Sequence, residues 1–138
     1  MKVLVTGGTG FVGSSLAQHL AATGANVTIC DNNFRGRLDE HMKNMIDQYN
    51  MKFVLCDLTK PADFEKLEKD YDEIYHLAAI NGTGNFYKYP DKVLKAGVLG
   101  MIHLLDWLMP QTKGKILFTS SSETYAGTLK VMGEEKFP

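Results

Sequence analysis

Short apolar runs alternate with longer stretches of helical period along most of this chain. Lys2 to Thr6 is a β-branched apolar run, the pattern of a parallel strand buried on both faces. From Phe11 to Thr23 the residues Val12, Leu16 and Leu20, with Ala17 and Ala21 one step round, mark one helical face. Gly24 is placed to end that helix. Asn26 to Cys30 predicts a second strand with Asp31 at its end, and Met51 to Cys56 a third, followed by Asp57. Between them Arg37 to Tyr49 sets Leu38, Met42, Met45 and Ile46 at helical spacing. Thr59-Lys-Pro-Ala-Asp-Phe opens another helix, with Pro61 in its first turn and an end near Lys69. Glu73 to Leu77 predicts a fourth strand, and Asn81 to Tyr89 a loop. Pro90 starts the longest helix, to about Met109. Val93, Gly97, Gly100, Met101, Leu104, Leu105 and Leu108 form its inner face, both glycines allowing close approach to the sheet. Lys115 to Thr119 is the fifth strand, and a polar tail follows to Pro138.

Strands that alternate with helices imply right-handed βαβ crossovers and a parallel sheet covered on both faces. The expected fold is therefore a doubly wound α/β domain of strand order 3-2-1-4-5, spanning residues 1–138. Its ligand belongs over the carboxyl ends, where the order reverses. The length suits one domain with a core of its own. Fifteen lysines and arginines against sixteen acids give a net charge of −1, without the basic block a nucleic-acid partner needs. No apolar run reaches the length of a membrane span. A strand beginning at Met1 leaves no room for a signal peptide, so the expected compartment is the cytoplasm. Cys30 and Cys56 each end an apolar run and read as packed, reduced thiols, with no metal site. A bare edge on the fifth strand would favour self-association into a homo-oligomer.

The candidate chemistry lies where the first strand meets the first helix. Gly7, Gly10 and Gly13 stand three apart there. Gly7 lets the chain turn off the strand, and Gly10 lets backbone approach a pyrophosphate. Gly13 lets the helix lie close to the strand. The helix N-terminus then directs its free N–H groups and positive dipole end at the phosphates. Asp31 follows Gly13 by 18 residues, where a carboxylate can accept both adenosine ribose hydroxyls and would repel a 2′-phosphate. Charge-assisted bonds of that kind contribute about 1.5–3 kcal/mol. NAD is therefore expected over NADP, although Arg35 and Arg37 stand nearby.

Thr6-Gly-Gly-Thr-Gly-Phe-Val-Gly13 resembles the cofactor fingerprint of the extended short-chain dehydrogenase/reductases, the NAD-dependent nucleotide-sugar epimerase/dehydratase family. The resemblance implies a Rossmann-like domain that binds NAD, with Phe11 and Val12 belonging to the site. It extends along nearly the whole chain. Asp31, Asn32, Gly36 and Arg37 match the family's Asp-Asn-x-x-x-Gly-Arg, which implies that Asp31, Asn32, Asn33 and Arg37 hold the cofactor. Asp57-Leu58 is similar to the pair that caps the adenine. His76-Leu-Ala-Ala79 is similar to the fourth-strand segment whose Leu77, Ala78 and Ala79 pass under the cofactor, His76 itself being a packed structural residue. Phe86, Tyr87 and Tyr89 resemble the aromatic cluster of the decarboxylase-like branch, or serve as packing for a helix start. One departure stands out. Gly97-Val-Leu-Gly-Met101 replaces the Asn-Val-x-Gly-Thr usual in relatives.

Ser120-Ser-Ser-Glu-Thr-Tyr-Ala126 resembles the family's catalytic Ser-Ser/Thr-x-x-Val-Tyr-Gly segment. Aligned on Tyr125, Ser121 takes the Ser/Thr position that hydrogen-bonds the sugar 4-hydroxyl, and Ser122 and Glu123 take the next two, where relatives carry an acidic pair for dehydration and decarboxylases a Ser-Glu pair. A shift of one residue makes Ser122 the equivalent. Glu123 leans away from a plain epimerase. The family's base is a tyrosine in Tyr-x-x-x-Lys, whose lysine lowers the phenol pKa. None of the six tyrosines here has a lysine four residues on, so the motif, the later strands and the sugar-nucleotide domain are expected beyond Pro138. The resemblance implies a nucleotide-sugar substrate for the intact protein and transient oxidation at its C4. The alternatives are a dinucleotide-binding sensor or scaffold without turnover, a nucleotide-sugar decarboxylase, and a short product that folds with a partner.

Overall fold

A computed structural model describes residues 1–121 and Thr124. Five strands form one parallel sheet: β1 (Lys2–Thr6), β2 (Asn26–Asp31), β3 (Lys52–Leu55), β4 (Glu73–His76) and β5 (Lys115–Phe118). Their order is β3-β2-β1-β4-β5, as the alternation predicts. Leu4 pairs with Thr28 on one side and with Ile74 on the other, so β1 is the central strand from which the chain winds both ways. Val3, Leu4, Val5 and Thr6 are fully buried because both faces of β1 are covered.

Strand alternation divides the core into two layers. Val3, Val5, Val27 and Ile29 face α1 (Phe11–Ala22) and α2 (Glu40–Gln48), which contribute Ala17, Leu20, Met42 and Met45. Leu4, Cys30, Val54 and Ile74 face the other way, against Phe64, Leu67, Tyr71 and Leu104. Each fully buried aliphatic side chain in these layers contributes about 1.5–3 kcal/mol. The second layer is closed by a 3-10 helix (Pro61–Lys66) and by the long helix from Pro90; α3 (Thr83–Lys88) and α4 (Pro90–Leu108) are the last two helices among the described residues.

Several elements differ from the sequence reading, each for a local reason. The helix expected from Thr59 to Lys69 is the 3-10 turn, because Phe64 and Leu67 are the residues that enter the core. A spacing of three stacks them on one face of a three-residue turn. The start of α2 falls at Glu40 rather than Arg37, since the Asp39 carboxylate caps it by accepting from Met42 N at 2.9 Å. The expected loop from Asn81 to Tyr89 contains α3, entered through Gly82 at φ +104°. In α1, Val12 is exposed at the cleft instead of lying on the buried face.

The inner face of α4 also needs correction. Gly100 and Leu104 are its buried residues, and a Cβ on Gly100 would meet the Leu58 side chain at 3.5 Å. A Cβ on Gly97 would meet nothing within 4 Å, so that glycine makes no close approach. Leu105 is exposed, and with Leu94, Val98, Ile102 and Met109 it forms an outward apolar stripe. The edge strand β5 shares this exposure, with Leu117 and Phe118 half uncovered.

Candidate functional site

The carboxyl ends of β1, β2, β3 and β4 open into one cleft of about 650 Å³. Its centre is the turn from β1 into α1. Gly7 turns there with φ +71°, and a Cβ at Gly7 would lie 2.9 Å from Ala78 Cα and N. That position therefore needs glycine twice over, for conformation and for space. Gly13 would press a Cβ into the carbonyl oxygen of Gly7, which is why α1 starts so close to the strand. Gly10 is the N-cap of α1 and carries no side chain to cap it. The first-turn amides are left to whatever enters the cleft, and an anion suits them best. Phe11 and Val12 stand at the mouth, 91% and 62% exposed, as apolar surface awaiting cover.

The end of β2 is stitched to this turn. Asp31 Oδ2 accepts from Thr9 N at 3.2 Å, and its Oδ1 accepts from Asn33 N at 2.8 Å. Thr9 donates its hydroxyl to Asn33 Oδ1 at 3.2 Å, and Asn33 adopts φ +56° to reach it. These contacts fix the carboxylate beside the glycine turn. Thr9 is thus a positioning residue that the fingerprint left as a spacer, and Gly36 packs so tightly on it that a Cβ would collide. At the end of β3, Asp57 Oδ1 accepts from the Thr59 amide and hydroxyl, at 3.1 and 2.8 Å. His103 of α4 lies 3.0 Å from the Leu58 carbonyl.

Residues predicted from the sequence gather here almost completely. Gly7, Gly10, Phe11, Val12, Gly13, Asp31, Asn32, Arg37, Asp57, Leu58, Leu77, Ala78 and Ala79 all line the cleft. Asn33 stands behind Asp31 and Thr9 instead. His76 is a packed residue, as expected. It is 2.9 Å from Thr6 Oγ1, it stacks on Phe118, and burial pushes its pKa down. Thr6 Oγ1 also accepts from Ala78 N at 3.3 Å, which draws the ends of β1 and β4 together. Ser121 follows β5 at the same edge of the sheet, outside the lining of the cleft; its carbonyl accepts from Thr124 N and Oγ1. Ser122, Glu123 and Tyr125 lie outside the described residues.

Two features add to the sequence reading. Cys30 and Cys56 are free, buried thiols that also line the floor of the cleft. Their mutual interaction, together with burial, pushes the Cys30 thiol well up, while the same interaction draws Cys56 down. The second feature is Arg35, which lines the cleft and donates to the Asn81 carbonyl at 2.8 Å.

An uncapped helix terminus, a glycine cradle and a fixed strand-end carboxylate, set at the reversal of strand order, define a dinucleotide-binding domain of the doubly wound α/β class. Residues 3–138 match the sequence profile of the NAD dependent epimerase/dehydratase family, and the chain belongs to it. NAD is the family's cofactor, and the residues present fit it. The chain is 38% identical over 131 residues to UDP-glucuronic acid decarboxylase 6 of Arabidopsis thaliana, covering 94% of this chain and 36% of that protein. Among solved structures it resembles UDP-N-acetylglucosamine 4-epimerase from Methanobrevibacter ruminantium, with 30% identity and a TM-score of 0.82. That match covers 98% of this chain and 42% of the other. It also resembles UDP-glucose-4-epimerase from Stenotrophomonas maltophila, solved with bound NAD and formylated UDP-arabinopyranose, at 25% identity and a TM-score of 0.82. There the coverage is 94% of this chain and 40% of that one. The chain thus spans well under half the length of these relatives.

Proposed function

We propose that this chain is the NAD-binding part of an enzyme that transiently oxidises C4 of a nucleotide sugar. The observation that carries the reading is the convergence of the predicted cofactor residues, from four separate strand ends, on one cleft. Asp31 would accept the adenosine ribose hydroxyls, and Asp57 the exocyclic amine of an adenine lying against Leu58. The first turn of α1 would hold the diphosphate, with Leu77, Ala78 and Ala79 passing beneath the cofactor. NAD, when bound, supplies an acceptor that takes a hydride from the sugar and later returns it. Ser121 would hydrogen-bond the sugar 4-hydroxyl, with Ser122 and Glu123 at the two positions that follow it, where decarboxylases carry a Ser-Glu pair.

The similarity to UDP-glucuronic acid decarboxylases, together with Glu123, favours decarboxylation of a UDP-linked uronic acid over plain epimerisation. Two isolated cysteines, each ending an apolar run as a small packed residue, suit a reducing compartment, the cytoplasm. The outward apolar stripe of α4 and the half-exposed β5 support self-association. Among the described residues no helix is long and apolar enough to cross a membrane.

Calorimetry with ADP-ribose and NAD on the 138-residue chain tests the reading. Both should bind, within about 1 kcal/mol of each other, because the contacts described belong to the ADP half. No turnover is expected, since no Tyr-x-x-x-Lys lies in this stretch. Failure to bind either ligand would remove the proposal, and turnover would show that the base is misplaced. A sensor or scaffold without turnover would be favoured if a longer version carrying Tyr-x-x-x-Lys bound NAD yet oxidised no nucleotide sugar. In that longer version Ser121→Ala should lower turnover and leave NAD affinity unchanged.

A further inference from the structure

The segments after β2 and after β4 lie on opposite sides of the glycine turn, because β1 stands between those strands in the sheet. Three kinds of contact join them. The Arg35 guanidinium donates to the Asn81 carbonyl at 2.8 Å. The Phe34 ring meets the Tyr89 ring edge-on, with centroids 6.2 Å apart. The Lys92 ammonium stands over both rings, 5.4 Å from the Phe34 centroid and 4.8 Å from that of Tyr89. The middle of this bridge leans on the turn itself, where Gly36 packs against Thr9.

Charge decides what the bridge is for. Among the described residues every ion pair is made by a lysine. Arg35 therefore brings to the lining of the cleft a full positive charge with no carboxylate partner within ion-pair distance. It is anchored by a neutral carbonyl, which takes one of the five N–H donors a guanidinium carries. A planar donor set of this kind suits a phosphate oxygen pair. The aromatic and cation–π contacts that hold the bridge are individually weak at an exposed site.

We propose that Arg35, with Phe34, Tyr89 and Lys92, forms a clasp across the glycine turn, and that Arg35 contacts the diphosphate of a dinucleotide passing beneath it. The clasp distinguishes ligands that carry a diphosphate across the turn from those that stop at adenosine. This rests on the dinucleotide reading above, and the ligand series separates the two. Arg35→Gln should weaken ADP-ribose about tenfold and adenosine by less than about twofold. The fall of ADP-ribose affinity with added salt should flatten in that variant, which a merely structural role for Arg35 would not produce. Phe34→Ala/Tyr89→Ala should speed ADP-ribose dissociation in stopped flow without changing adenosine affinity.

Equal weakening of both ligands by Arg35→Gln, or no change in either, would overturn the clasp while leaving the dinucleotide site standing. An unmodified chain that binds adenosine but not ADP-ribose would overturn both. Arg35 is exposed on a loop, so the variant should fold; Arg35→Lys, which keeps charge but not the planar fork, should fall between the two.

Discussion

Replacing a helical glycine by alanine has opposite expected outcomes at two places in this fold. Within a helix, alanine is favoured over glycine by about 0.8–1 kcal/mol. Gly97 lies in α4 with nothing near the added Cβ, so Gly97→Ala should realise most of that gain. Gly13 lies in α1, where the same atom would enter the carbonyl oxygen of Gly7 and come within 2.9 Å of its carbonyl carbon and 3.0 Å of Gly8 Cα. All three are backbone atoms, so no side chain can rotate aside. Relief requires α1 to move off β1, and Ala17 and Leu20 would lose packing with it. Overpacking of this kind costs about 1–3 kcal/mol, and rigid neighbours put it at the upper end. The net expectation for Gly13→Ala is a loss of about 2 kcal/mol, a fall in Tm of roughly 6–10 °C for a domain of this size. ADP-ribose affinity should fall too, because the amides of the first turn move with the helix. Thermal unfolding by circular dichroism, with Gly97→Ala in parallel, reads both signs. If Gly13→Ala raised Tm as Gly97→Ala does, the close approach of α1 to the turn would be wrong.

Three further outcomes are expected. NAD should bind more tightly than NADP, and Asp31→Ala should narrow the difference; equal binding of both by the unmodified chain would remove Asp31 from the ribose. Glu68 is paired with Lys2 and Lys52, whose hydrogen bonds hold its carboxyl down to about 2 from 4.5. A lowered folded-state value means the stabilisation is complete above about pH 4.5 and vanishes as pH falls through 2. Because Glu68 is largely exposed, Glu68→Gln should cost under about 1 kcal/mol at pH 7 and nothing at pH 2, by urea unfolding at each pH. A difference that persisted unchanged to pH 2 would mean that the pairs are not its source. Thiol titration of the unfolded chain, prepared without oxidant, should count two free thiols; a count of zero would contradict Cys30 and Cys56 as unbridged neighbours.

What the sequence by itself determined is the part of this protein that rests on local rules. Strand and helix periods gave the βα alternation, chirality and short connections reduced that to the order β3-β2-β1-β4-β5, and glycine spacing located the turn. Asp31 and Asp57 were legible because the end of a parallel strand in such a sheet is where a ligand lies. Tertiary structure decided what depends on which surfaces meet. The apolar residues of α4 repeat around so much of the helix that period alone could not rank its faces, and contact with Leu58 selected Gly100 over Gly97. Thr9 looked like a spacer until the Asp31 carboxylate accepted its amide across 22 positions of chain. Arg35 gained its place from Asn81, 46 positions away. A residue's own identity fixes its local conformation and its chemistry, but its partners across the sheet are fixed by the packing of the whole chain, which no short window of sequence contains.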